Sequence, residues 1–96
     1  MDKTHYHQLI CRDLHDLYKK KNADYGNSFT DIFAEVGMAY AYGHLAEKLR
    51  RIHSLMMRSP ANVNGESMRD SLVGLANYAI LTIVELDAQK EQEAEQ

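Results

Sequence analysis

The sequence predicts an all-α protein, an antiparallel helical bundle completed by oligomerisation, and three observations carry that prediction. Apolar residues recur at steps of three and four over most of the chain, whereas no stretch alternates strictly as a half-buried strand would. Breakers are sparse: Gly26, Gly37, Pro60 and Gly65 divide the chain into three long segments and one short one. The last long segment is apolar almost all round, which in so short a chain calls for burial on more than one side.

In the first segment, about residues 4–22, Tyr6, Ile10, Leu14 and Leu17 fall at helical spacing behind Thr4, a suitable N-cap. The turn residues of Asn22–Ser28 read as a loop. Phe29, Ile32, Phe33 and Val36 then make one face of a short helix stopped by Gly37. Over 38–58, Met38, Tyr42, Leu45, Leu49, Ile52 and Met56 alternate by four and three, the pattern of a bundle seam. The Ser59–Gly65 connection is short enough to turn the next helix antiparallel. That helix, about 65–90, repeats the seam with Met68, Leu72, Leu75, Ala79, Ile83 and Leu86. Val73, Ile80, Leu81 and Val84 lie on its other side, and a second protomer is the simplest cover for them. Residues 1–88 therefore form one domain, and the polar residues 89–96 are expected to fray.

At 96 residues and 11.0 kDa there is room for one domain or one protomer, with no separate cofactor module. Chains of this size bury only about 60–65% of their unfolded surface, so the core alone is marginal. With the single cysteine Cys11, no intrachain disulfide can supplement it, which leaves a dimer or higher homo-oligomer and fits a reducing cytoplasm. No signal peptide and no apolar run of membrane-spanning length is evident, so no membrane is expected. The net charge of −3 argues against binding a nucleic-acid duplex. It conceals an asymmetry, because residues 1–58 balance to +2 and residues 59–96 to −5. Such halves suit subunit pairing, or a site where cations and carboxylates meet around phosphate.

Several residue sets could carry chemistry. Glu66, Asp70 and Asn77 fall within about 40° on one helix face, and acids on neighbouring turns are how bundles build Mg²⁺ sites. The plainer alternative is a solvated first turn whose acids favour the helix N-terminus. His44, Glu47, Lys48 and Arg51 flank the apolar seam, where Lys48 and Arg51 could reach one phosphate or simply form an exposed ion-pair face. Lys19–Lys21 precede the Asp24-Tyr25-Gly26-Asn27-Ser28 loop, a place to hold a phosphate and stack a base, or merely a basic helix end and a turn. His7, Cys11 and His15 share one stripe, but nothing completes a four-ligand zinc site, and Cys11 reads better as a small buried residue. No P-loop, nucleophile elbow or dinucleotide fingerprint occurs, and no catalytic residue is assigned.

Three stretches then occur in a telling order: Lys-Asn-Ala-Asp-Tyr-Gly-Asn-Ser-Phe at 21–29, Leu-Ala-Glu-Lys-Leu-Arg-Arg-Ile at 45–52, and Glu-Ser-Met-Arg-Asp-Ser-Leu at 66–72 running into Leu-Ala-Asn-Tyr-Ala at 75–79. Over about residues 15–87 the chain resembles the nucleotide modification associated domain family, small proteins frequent in phages and related to the MazG-like all-α nucleoside triphosphate pyrophosphatases. The resemblance implies a helical oligomer with a nucleotide pocket. It implies Glu47, Glu66 and Asp70 as Mg²⁺ ligands, with Lys21, Lys48 and Arg51 facing phosphate. Asp24, Tyr25, Ser28 and Asn77 would line the pocket.

One position departs from the family pattern. Relatives usually carry an aspartate one turn after Asp70, where this chain has Gly74. Glycine offers no ligand, costs about 1 kcal/mol in a helix interior, and weakens any Mg²⁺ site. The first expected function is therefore binding or sequestration of a nucleotide or cyclic nucleotide with little hydrolysis. The second is a Mg²⁺-dependent nucleotide pyrophosphohydrolase, and the third is docking on a protein partner through the doubly apolar helix.

Overall fold

A computed structural model describes residues 2–58 and 63–95, with Tyr25 described in its backbone alone. The fold is all-α: α1 (Thr4–Tyr25), α2 (Ser28–Val36), α3 (Met38–Arg58) and α4 (Glu66–Glu95) account for the regular structure among the described residues. Residues 59–62 of the connection between α3 and α4, with Pro60, lie outside the described residues.

Most helix boundaries follow from the breakers. Gly26 and Gly37 sit at φ 68° and 82°, a backbone that side chains disfavour, and each ends the helix before it. The Gly37 amide donates back to the Phe33 carbonyl at 2.7 Å and closes α2. The expected loop at 22–28 is shorter than its composition suggested, because α1 continues through Asn22, Ala23 and Asp24 until Gly26 stops it. Thr4 is not the N-cap. Its amide instead donates to Asp2 Oδ1 at 2.9 Å, and the bonds from Thr4 hold the Asp2 carboxyl below its usual pKa. At the other end, the expected frayed tail continues as helix to Glu95. Its Ala, Gln, Glu and Lys residues are strong helix formers and need no packing to favour the helix locally.

Contacts between α3 and α4 fix the core. The His44 ring stacks on Tyr78, and Lys48 lies across Gly74. Moving four residues up α3 thus moves four residues down α4, so the two helices are antiparallel in one constant register. That register sets Ala41, with 0% exposure, level with Thr82, and Leu55 level with Met68, both of which are buried. The two buried hydroxyls are satisfied locally: Ser71 donates to the Ser67 carbonyl at 2.8 Å and Thr82 to the Tyr78 carbonyl at 2.7 Å. Helix α2 seats the buried Phe33 against this pair, and α1 runs beside α4 in the same direction.

The seams expected from heptad spacing are only half right. Leu45, Ile52 and Met68 turn inward, but Met38, Tyr42, Leu49 and Met56 on α3 are exposed, as are Leu72, Ile83 and Leu86 on α4. Each long helix has a second apolar stripe, and the intramolecular contact uses the one containing small or polar residues. On α4 the stripe through Gly74, Tyr78, Leu81 and Glu85 meets the rest of the chain. The stripe through Leu72, Ala76, Ile83 and Leu86 lies on the opposite side, roughly 160° away by helical arithmetic.

The surface shows an uncovered face. The chain exposes 7640 Å², whereas a compact protein of its mass exposes about 5,600 Å². Its radius of gyration of 15.8 Å likewise exceeds the roughly 12–13 Å of a compact chain of this length. By length and composition α4 also qualifies as a membrane span, with a window of mean hydropathy 1.4. It reaches that mean although the sequence holds no unbroken apolar run of membrane-spanning length. The same helix places Asn77 and Glu85 beside a cavity on its packed side.

Candidate functional site

The main cavity opens where the end of α1, the start of α2 and the packed stripes of α3 and α4 converge, with a volume of about 270 Å³. The tight Gly26–Asn27 turn brings Lys21 and Asn22 on α1 to the same rim as Ser28 and Thr30 on α2. Thr30 Oγ1 donates to Glu85 Oε1 at 2.5 Å and ties the start of α2 to α4. The same cavity is lined by Tyr18, Phe29, Tyr40 and Tyr78, with Leu17 and Leu81.

The aromatic wall is one connected group. Phe29 lies 5.3 Å from Tyr40 and 6.2 Å from Tyr78 between ring centroids. His44 backs the wall, stacked on Tyr78 at 4.2 Å and 10° and edge-on to Tyr40 at 4.7 Å and 86°. Such packing orders rings that already have few rotamers, so the wall is organised before any ligand arrives. Flat aromatic faces beside Asn77, which both donates and accepts, and Glu85, which accepts, can stack on and hydrogen-bond a planar polar group.

Burial pushes the Tyr78 phenol above its usual pKa of 10.0, with the charges of Tyr40 and Glu47 adding to the shift. Folding therefore favours the protonated phenol. Its contribution to stability is fully present below the pH at which unfolded tyrosine ionises, and is lost as the pH rises through the folded value. Denaturant titrations at about pH 9 and pH 11 are expected to show a steeper alkaline loss in the natural protein than in Tyr78→Phe. Parallel profiles would mean the phenol is as solvated folded as unfolded.

Of the nucleotide-binding residues expected from the sequence, Lys21, Ser28 and Asn77 line this cavity. Asp24 is exposed at the end of α1 and Arg51 is exposed on α3, and neither lines it. The Tyr25 side chain lies outside the described residues. Lys48 is half-buried one turn beyond His44, across Gly74. Phe29, Tyr40, Leu81 and Glu85 were not among the expected residues, because they come from three helices and share no local motif. The one signal available was the spacing of Tyr40 and His44, two rings one turn apart on α3.

The expected Mg²⁺ ligands do not converge. Glu47, Glu66 and Asp70 are all exposed, and the described residues contain no group of three or more His, Cys, Asp or Glu side chains able to hold a metal ion. Register explains the separation. Glu47 is level with Leu75, about 7 Å along the axis from Asp70 and about 13 Å from Glu66. Glu66 and Asp70 share a face of α4 without Glu47, and Gly74 adds no ligand between Asp70 and the cavity. On α1, Cys11 is exposed rather than buried, since nothing packs on its stripe, and its Sγ lies 3.9 Å from His7 Nδ1 without forming a metal group.

Comparison with curated proteins and with solved structures found no match. The sequence profile of the family described as nucleotide modification associated domain 1 matches residues 21–86, from the last turn of α1 through the cavity-lining part of α4. That span takes in the turn at Gly26–Asn27, the aromatic wall and both packed stripes, and on it the chain belongs to the nucleotide modification associated domain 1 family.

Proposed function

We propose that this protein is a nucleotide-binding helical homo-oligomer that holds a nucleotide or nucleotide-derived ligand, linear or cyclic, and releases it unchanged. The observation that carries this is the aromatic group of Phe29, Tyr40 and Tyr78 lining one cavity together with Asn77 and Glu85. About 270 Å³ is small beside the roughly 300–1,000 Å³ of pockets that enclose a drug-sized ligand. It suits a base with part of its sugar, leaving phosphates outside. The family, described by its association with nucleotide modification, supports the same ligand class. With no assembled carboxylate group among the described residues, tight holding is a better use of this site than turnover. In a phage-encoded protein, such holding in the host cytoplasm would remove a nucleotide signal used in defence.

The oligomer is part of the same proposal. A second copy is the occupant that fits the exposed Leu72–Ala76–Ile83–Leu86 stripe of α4. The protomer's excess of about 2,000 Å² is what obligate homodimers bury. The +2 and −5 halves of the chain favour a copy turned end for end.

The test is to mix purified protein with linear and cyclic nucleotides, with and without Mg²⁺, and resolve free, bound and cleaved species by chromatography. The expected result is depletion of a ligand from the free pool and its recovery intact on denaturation. Metal-dependent release of pyrophosphate would make the protein a pyrophosphohydrolase, and binding of no nucleotide would sink the proposal.

A further inference from the structure

The hydrogen bond from Thr30 to Glu85 does more than tie α2 to α4, because it fixes a carboxylate in the cavity lining and leaves most of its accepting capacity unused. An ionised carboxylate has about four lone-pair sites on its two oxygens. Thr30 Oγ1 donates to Oε1, and among the described residues no other hydrogen bond reaches either oxygen. Glu85 is half-buried and shares the lining with Phe29, Tyr78 and Leu81. The hydration these neighbours displace is therefore not replaced by protein donors. A neutral glutamine would make the same tie to Thr30 without that cost. A ligand that brings two N–H groups side by side would supply the missing bonds.

Among the common bases, one fits that description. On its pairing edge guanine presents N1–H and a 2-amino N–H next to each other, both donors, at the spacing of two carboxylate oxygens. Adenine and cytosine each set a ring-nitrogen acceptor beside the amino group, and uracil flanks its single N–H with two carbonyl oxygens. All three would turn a lone pair toward the carboxylate, and that repulsion offsets the one bond they keep.

We propose that Glu85, held by Thr30, selects a guanine-bearing nucleotide for the aromatic cavity by accepting N1–H and the 2-amino group of the base. The proposal rests on the base-binding reading of that cavity and names the base. Position supports it. Phe29 directly precedes Thr30 in α2, so a stacking ring and the carboxylate's anchor enter the lining together. Tyr78 lies two turns before Glu85 on the same face of α4, which sets a ring and an edge acceptor about 10 Å apart along the axis. The reach of a glutamate side chain and the width of a purine fill that interval. Asn77, one residue further, is left for a different edge of the same base. Thr30 acts through Glu85 and is a positioning residue.

Equilibrium binding of GMP, IMP, AMP, CMP and UMP to the full chain reads the base alone, since all five share one sugar and one phosphate. GMP is expected to bind about tenfold or more tighter than AMP, CMP and UMP, with IMP, which lacks the 2-amino group, in between. Glu85→Gln keeps an oxygen for Thr30 and sets a donor beside it, the pattern complementary to adenine. It should cut the preference for GMP over AMP about tenfold while AMP binding is kept or improved, a result that loss of folding cannot produce. Thr30→Val should lower the same preference severalfold, and Thr30→Ser should keep it. Equal binding of the five, a preference for another base, or a GMP preference that survives in Glu85→Gln would each overturn the guanine site while leaving the base site standing. Binding of none of them would overturn both.

Discussion

Ile83→Glu is expected to dissociate the proposed homo-oligomer and to leave single chains that unfold well below the melting temperature of the natural protein. Ile83 is 55% exposed in the single chain, in the middle of the α4 stripe that none of the described residues covers. Covering that side chain with a second copy is worth about 2 kcal/mol, and burying an unpaired carboxylate in its place costs at least about 1 kcal/mol more. In a two-fold dimer the substitution acts twice, giving about 6 kcal/mol, a factor on the order of 10⁴ in the dissociation constant. Light scattering after size exclusion should report the change in mass. The natural protein's melting temperature should rise with protein concentration, because dimerisation adds stability by mass action. Gln92→Glu, at the exposed end of the same helix, is the control and should change neither. A natural protein that is monomeric at every concentration, with Ile83→Glu equally stable, would refute the second copy. Capture of the natural protein by neutral lipid vesicles, as a monomer, would make a bilayer the cover for this stripe instead.

That stripe also shows where sequence reasoning stopped. Spacing by three and four located every long helix, and Gly37 placed the junction of α2 and α3 to the residue. Spacing could not say which of two apolar stripes on a helix meets its own chain. The chain packs on the stripes with Ala41, Ser71, Gly74 and Thr82, residues that carry little weight in an apolar count but permit close approach. The large residues, Leu49, Leu72 and Ile83 among them, were left outside. The early end assigned to α1 has a related cause. Asn22 and Asp24 favour turns without forbidding a helix, whereas Gly26 at φ 68° ends one. For the site, the family resemblance drew attention to Lys21, Ser28 and Asn77, and these line the cavity. Phe29, Tyr40 and Glu85 became visible only when α2, α3 and α4 were packed together. The three acids illustrate the converse. Sharing a face on one helix says nothing about the register of the next, and register is what holds Glu47 apart from Asp70 and Glu66.

Tyr78→Ala is expected to weaken nucleoside binding by roughly 10- to 100-fold, the range set by about 1–3 kcal/mol for one base–aromatic stack. The Tyr78 ring forms part of the cavity wall while His44 supports it from behind at 4.2 Å. Removing it takes away the stacking surface and frees His44 to tilt. Because the substitution also hollows a half-buried position, the loss alone would not separate binding from folding. Tyr78→Phe resolves this, since it keeps the ring and its support and removes only the hydroxyl. It should bind nucleosides within about threefold of the natural protein if stacking is the main interaction. Asn77→Ala, one residue away on the cavity rim, should act differently. Losing hydrogen bonds to a base edge affects the preferred base most, so discrimination among adenosine, guanosine, cytidine and uridine should narrow by about tenfold while general affinity falls less. Calorimetric titration of the four nucleosides against the three variants, each first shown to be helical by circular dichroism, makes the comparison. If Tyr78→Phe lost as much affinity as Tyr78→Ala, the phenol hydroxyl would carry the interaction and the cavity would be recognising a polar group, not the face of a base.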